Sequence, residues 1–302
     1  MATPAWTTIC HNFVHYKRCY DVFEKRSGKV DLYNNWAKEE FSKVAEDICG
    51  GKRNPGIRNP ICTLGMGSET GSFEMALLKQ LQPYFPSMHH TVVEPCEEFI
   101  SHYKLHSVLE NVQYDWQPKT FQQYMHDHEC TSNGRKFDFI SAVNSLYYTG
   151  NVKETIRFLI DQLTESGYLL VVVRSEKGSG FRIIVNFPEL HPAFKPSYFI
   201  SSKTVSEAIA ELGMTAKVNS LRTNVDLSGV FDDDDAEGDD LLDLFTGVMN
   251  FRRTAPETLV ERVLNFLRQE SIPDSESGKI NYMNHSVCVD WDAILVEKLH
   301  KQ

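Results

Sequence analysis

"TLGMGSETGSFEMALL", residues 63–78, is the stretch whose reading decides the fold. Three glycines, Gly65, Gly67 and Gly71, stand between an apolar run and an amphipathic stretch. The run "ICTLG" that feeds them reads as a strand, and "SFEMALLKQLQPYF" after them as a helix with Ser72 as N-cap. A glycine-rich turn lets the backbone approach a ligand closely. Ordinary tight turns share the spacing. The position between a strand and a helix is what points to a cofactor loop.

Outward from this loop the texture alternates. "HTVVEP", "VQYDW" and "FDFISAVNSLYY" read as strands, and "EEFISHYKLHSVL" and "VKETIRFLIDQL" as helices. "GYLLVVVRS" is unbroken and apolar, as expected of a strand covered on both faces of a parallel sheet. Helices also read over "NFVHYKRCYDVFEKR", with Phe13, Tyr16, Tyr20 and Phe23 in phase, and as one element over "DLYNNWAKEEFSKVAEDI". Further on, "SSKTVSEAIAELGM" reads as a helix capped at Ser202 or Thr204, and "PETLVERVLNFLRQE" as another. At "EKGSGFRIIVNFPELHPAFKPSYF" the texture changes, to a stretch rich in Pro and aromatics. "HSVCVDWDAILVEK" closes the chain as a strand pair or one long strand. The expectation is an α/β fold, a doubly wound and mostly parallel seven-stranded sheet with a small substrate-binding lobe. Residues 52–176, 201–225 and 285–302 fall to the cofactor-binding core. Residues 1–51, 177–200 and 226–284 fall to the lobe or lid.

The 302 residues carry 31 Lys and Arg against 41 Asp and Glu, a net charge of −10. The basic residues are scattered, so nucleic acid is not an expected partner. No apolar run reaches membrane-spanning length. Seven widely spaced cysteines without C-x-x-C argue against a disulfide framework or a zinc knuckle. A cytoplasmic monomer is expected. "DDDDAEGDD" begins like a calcium loop through Asp233, Asp235, Glu237 and Gly238, but Leu244 stands where the closing Glu is needed. It reads as a solvated loop that puts acid at a helix N-terminus. His89 and His90 lack a third ligand and read as surface, and no metal is expected.

Glu94 ends the second strand, where a carboxylate accepts both hydroxyls of a ribose; it also reads as a plain strand-end surface acid. Glu69 sits inside the loop itself. A carboxylate there repels a pyrophosphate, which dinucleotide sites seat on the helix N-terminus. S-adenosylmethionine is a sulfonium without phosphate and suits an acidic loop. It is the expected cofactor.

"LGMGSETGSFEMALL", "VVEP", "LENVQYDWQPKT", "FDFISAVNSLYY", "LLDLFTGVMNFRRTAP" and "INYMNHSV" resemble the histamine N-methyltransferase family, which includes carnosine N-methyltransferases, from about Tyr16 to Val289. The resemblance implies a class I methyltransferase that moves a methyl group from S-adenosylmethionine to an imidazole nitrogen. By it, Gly65 and Gly67 line the methionine moiety and Glu94 holds the ribose. Phe99 stands where the family has a polar Gln, and Phe121 where a small Ser meets the adenine. Val143 packs on the adenine or sulfonium region. The implied substrate residues are Tyr16, Tyr20, Lys29, Asn144, Tyr147, Tyr148, Phe181, Ser197, Phe245 or Phe251, and Asn284. Each aromatic is by itself also readable as core. The family has a Glu where Lys29 stands. A lysine repels an ammonium and favours a carboxylate, unless a register slip returns the acid through Asp31. The implied function is N-methylation of a small histamine-type imidazole amine. The alternatives are methylation of an imidazole dipeptide such as carnosine, and a fold of this kind that binds ligand without catalysis.

Overall fold

The computed structural model describes residues 7–9, 12–50, 60–106, 108–129, 135–190, 199–273 and 285–298. Two compact units form. One comprises Tyr33–Val173, Ile200–Ser220 and Asp292–Gln302, and the other Met1–Leu32, Arg174–Phe199 and Leu221–Trp291.

The first unit carries the α/β sheet, except for Arg174 of β5, residues 221–226 of β6 and residues 285–291 of β8, which fall to the second. Its strands are β1 (Ile61–Met66), β2 (Met88–Val93), β3 (Val112–Gln117), β4 (Phe137–Val143), β5 (Leu163–Arg174), β6 (Ala216–Asp226) and β8 (His285–Glu297), in the order β3-β2-β1-β4-β5-β8-β6. A two-residue β7 (Ile272–Pro273) pairs antiparallel with β8. β1 pairs parallel with β2 and β4, β2 with β3, and β4 with β5. The sheet is thus seven-stranded and mostly parallel, as the alternating texture implies. Chain order reverses across β1 and β4, which opens a crevice at their carboxyl ends. β5 explains its own apolar run: Leu169, Leu170, Val171, Val172 and Val173 are all buried, so both faces of the strand are covered.

Helices α4 (Ser72–Leu81), α5 (Glu97–His106), α6 (Phe121–Glu129), α7 (Val152–Gln162) and α9 (Ser202–Glu211) belong to this unit. On α4, Leu77, Leu78 and Leu81 bury completely, each worth roughly 1.5–3 kcal/mol relative to exposure. Its N-cap is not Ser72 but Gly71, which turns left-handed at φ +71°. The α9 cap is Ser201, in a capping box with Thr204, one residue before the expected position. The single helix read over residues 31–48 divides into α2 (Lys29–Trp36), a π-turn (Ala37–Phe41) and α3 (Ser42–Gly50).

The second unit is helical at α1 (Phe13–Arg26), α8 (Ser179–Asn186), α10 (Ala236–Thr246), α11 (Phe251–Thr254) and α12 (Glu257–Glu270). Helix α8 lies where the sequence suggests no element; the glycines of "KGSG" mask its start. Asp235 caps α10, accepting from the amides of Glu237 and Gly238, so the acidic loop does seat carboxylates at a helix N-terminus. Glu237 pairs with Lys25 and Arg26, and Asp233 with Arg252.

Candidate functional site

β1 ends at Met66, and the chain turns through Gly67 (φ +68°), Glu69 (φ +46°) and Gly71 (φ +71°) before α4 begins. Gly67 donates its amide to Val93 O at 2.8 Å, which ties the loop to the end of β2. A Cβ on Gly67 would stand 2.5 Å from Ser145 Cβ, so loop and β4 end are in direct contact there. Glu94, next after β2, accepts the Glu69 amide at 3.0 Å and the Cys96 amide at 2.9 Å. Only 4% of Glu94 is exposed. Burial pushes its carboxyl up to about 7, against the pull of those two N–H groups. A carboxylate fixed by one amide on each oxygen has lone pairs left for two vicinal hydroxyls. The left-handed loop, the acid inside it and this anchored carboxylate fit S-adenosylmethionine.

At the end of β4, Asn144 adopts φ +51° and donates its amide to Val172 O at 2.8 Å. Its Nδ2 donates to Tyr33 OH at 3.3 Å. Asn144 Oδ1 and Ser145 Oγ are buried with no hydrogen-bond partner among the described residues. Tyr33 packs its ring on Phe73 at 4.6 Å. Tyr147 is buried and Tyr148 is 57% exposed; their rings meet edge-on at 6.4 Å. Val143 and Phe99 are half-buried. Phe121 is buried in the core, its ring edge-on to Phe158 at 5.8 Å. Tyr33 and Ser145 did not emerge from the sequence. Tyr33 extends the buried stripe of Ala37, Phe41 and Val44 by one turn and so reads as core, and an orphaned hydroxyl leaves no trace in composition.

In the helical unit Tyr16 stacks on Tyr20 at 5.8 Å, and Tyr20 leans on Phe23 at 6.0 Å. Phe23 meets Phe245 at 6.4 Å and Trp291 at 6.3 Å. Lys29, 6% exposed, donates to Tyr20 OH. Its ammonium lies 4.6 Å from the Tyr20 ring centre and 5.7 Å from that of Trp291. Tyr16, Tyr20, Lys29 and Phe245 therefore share one aromatic cluster, to which Trp291 is an addition not read from the sequence. Phe181 is in the first turn of α8, half-buried, and Phe251 is fully buried. Ser197 and Asn284 lie outside the described residues.

Beside this cluster His15, Cys19 and Asp240 bring three buried metal-type ligand atoms within 4.8 Å of one another. Arg18 already fills that space. Its guanidinium holds both oxygens of Asp240 and donates to His15 Nδ1 at 3.0 Å. His15 Nε2 then faces Asp243 at 2.7 Å. Burial and the two aspartates push the Cys19 thiol far up, so it stays protonated. The cluster reads as a polar strut between α1 and α10.

His90 corrects another expectation. It is 2% exposed on β2 and bonded to Thr63 and Glu74, not on the surface.

The chain is 26% identical to histamine N-methyltransferase A of Xenopus laevis, over 89% of this chain and 92% of that one. It is equally 26% identical to carnosine N-methyltransferase 2 of Gallus gallus, over 89% and 84%. Among solved structures, the YcgJ protein of Bacillus subtilis superposes with a TM-score of 0.50 at 14% identity, covering 86% of this chain and 98% of that one. That likeness is one of fold. The family model described as a methyltransferase domain matches residues 40–214, which contain the glycine loop, Glu94 and Asn144. The chain belongs to this methyltransferase family and is an S-adenosylmethionine-dependent methyltransferase.

Proposed function

We propose that the protein methylates an imidazole ring nitrogen of a small molecule, and that this molecule carries a carboxylate, as an imidazole dipeptide does. The relatives named above, a histamine and a carnosine N-methyltransferase, support the imidazole class. Lys29 carries the choice within it. Aromatic faces attract a cation, and here those of Tyr20 and Trp291 already hold the protein's own ammonium. A histamine-type ammonium would meet a like charge, and a carboxylate would meet its counterion. The histamine-type amine is the second reading, favoured by the names of histamine N-methyltransferase relatives.

S-adenosylmethionine, when bound, supplies an electrophilic methyl group on a sulfonium. Gly67 and the loop to Gly71 would give it backbone access, Glu94 would accept the ribose hydroxyls, and Phe99, Phe121 and Val143 would line the rest. Imidazole, with a pKa near about 6.5, is mostly neutral at cell pH, so no strong base is required. A neutral ring has one N–H and one lone pair. Asn144 Oδ1, buried and without a donor among the described residues, accepts that N–H and leaves the lone pair on the opposite nitrogen to attack. The gain is one of orientation. The resemblance carries the acceptor contacts to Tyr16, Tyr20, Tyr147, Tyr148, Phe181, Phe245, Ser197 and Asn284. The test is a methyl-transfer assay with carnosine, histidine and histamine as acceptors. Carnosine is expected to give the highest kcat/KM. A clear preference for histamine sinks the carboxylate assignment, and transfer to none of the three sinks the imidazole class.

A further inference from the structure

A second buried carboxylate, Glu74 of α4, lies beneath the glycine loop with 6% of its side chain exposed. Its Oε1 accepts from Ser68 Oγ at 2.9 Å and from Ser141 Oγ at 3.2 Å. Its Oε2 accepts from Tyr103 OH at 3.2 Å and faces His90 Nε2 at 3.1 Å. These four groups come from four places: the loop, β4, α5 and β2. His90 in turn reaches Thr63 of β1 through its other nitrogen, at 2.8 Å. An ionised carboxylate offers about four acceptor sites. All are engaged, so Glu74 has none left for a ligand.

Two glycines of the opening motif answer to the same group. A Cβ on Gly65 would stand 1.9 Å from Glu74 Oε1. A Cβ on Gly71 would stand 2.2 Å from the ring of Tyr103, whose hydroxyl Glu74 holds.

We propose that Glu74 is the positioning residue of the cofactor loop. Its carboxylate pins Ser68 to β2, β4 and α5, and Gly65 and Gly71 are glycines because this network occupies the space of their side chains. Gly65 then serves the cofactor through Glu74 rather than by touching it. The inference rests on the reading of residues 67–71 as the cofactor loop. It adds a residue that acts without contacting cofactor or substrate.

Calorimetry of the full chain with S-adenosylmethionine comes first. A wild type that does not bind overturns both readings together. Given binding, Glu74→Gln keeps the shape and removes half of the acceptor capacity. It is expected to weaken S-adenosylmethionine by about tenfold, with kcat and the acceptor KM at saturating cofactor unchanged. Unaltered cofactor affinity in the folded variant overturns the proposal and leaves the cofactor loop standing. A parallel loss in acceptor KM, kcat and melting temperature marks general packing damage and counts equally against it. Where Glu74→Gln does not fold, Ser68→Ala removes only the loop's bond and must still weaken the cofactor; no change there refutes the role. The discriminating pair is Gly65→Ala in two backgrounds. It is expected to cost cofactor affinity in the wild type and nothing further in Glu74→Ala. Equal cost in both gives Gly65 to the ligand and overturns the proposal.

Discussion

Glu94 Oε2 accepts the backbone amide of Glu69 at 3.0 Å, so the acid after β2 holds the loop after β1. One carboxylate thereby fixes the loop and, with one amide on each oxygen, keeps lone pairs for the ribose hydroxyls proposed above. Burial has raised its carboxyl to about 7, well above the usual carboxylate range.

The sign of the resulting pH dependence differs between fold and ligand. A carboxyl raised in the folded state stabilises the empty protein at acid pH, and that contribution is lost as pH rises through about 7. Ribose hydroxyls donate to the anion, so cofactor binding runs the other way. It tightens as pH rises through 7 and expels a proton. Affinity for S-adenosylmethionine is expected to be about tenfold weaker at about pH 6 than at about pH 8, by calorimetry. Glu94→Gln should flatten the profile and lower affinity throughout. A wild-type profile that is already flat would remove Glu94 from the ribose.

Lys29→Glu should exchange the acceptor preference. The buried ammonium against Tyr20 and Trp291 becomes a carboxylate, which favours a cationic amine over an anionic acceptor. Measured as kcat/KM, carnosine is expected to lose and histamine to gain about tenfold each. Lys29→Met separates charge from packing, since it fills the space and holds neither charge. Equal losses for both acceptors in both variants would reduce Lys29 to a core residue.

Asn144 invites a cleaner separation of backbone from side chain. Its φ of +51° is left-handed, which glycine adopts without strain. Asn144→Gly therefore keeps or slightly raises the melting temperature. It also removes the carboxamide whose oxygen lacks a donor, and single-turnover transfer should fall by about a hundredfold. Asn144→Ala should lose the same activity and in addition about 1 kcal/mol of stability. A glycine variant with wild-type turnover would show that the oxygen does not orient the ring.

The sheet was legible because burial on both faces writes itself into composition. Leu169–Val173 can scarcely be anything but a covered strand, and β1, β2, β3 and β4 each lead into a helix. Glu94 was legible for a similar reason: an acid directly after an apolar strand has a definite address. Contacts between distant residues were not. Tyr33 meets Asn144 across 111 positions, and nothing in "DLYNNW" marks that hydroxyl. His90 looks like half of a surface pair until the alternation of β2 turns it inward beside Glu74. Gly71 outranks Ser72 as the cap because a left-handed turn, not a side-chain acceptor, starts α4. Lys29 carried the right question, but a buried ammonium on aromatic faces could not be told from a solvated one by sequence.

The strut between α1 and α10 yields a prediction about stability alone. Asp243 accepts the amides of Asn250 at 2.6 Å and Phe251 at 2.8 Å, and faces His15 Nε2 at 2.7 Å. It is 3% exposed. Removing it strands two amides and an imidazole out of reach of water, and each buried donor left unmade costs about 1–3 kcal/mol. Asp243→Ala should therefore lose on the order of 3 kcal/mol in denaturant unfolding, part of it recovered by water. His15→Ala leaves both amides satisfied and should lose less. Cofactor affinity should not move in either, because the partners shown for His15 and Asp243, Arg18, Asn250 and Phe251, all belong to the helical unit. If His15→Ala proves the costlier change, the carboxylate serves the histidine and the turn at Asn250 stands without it.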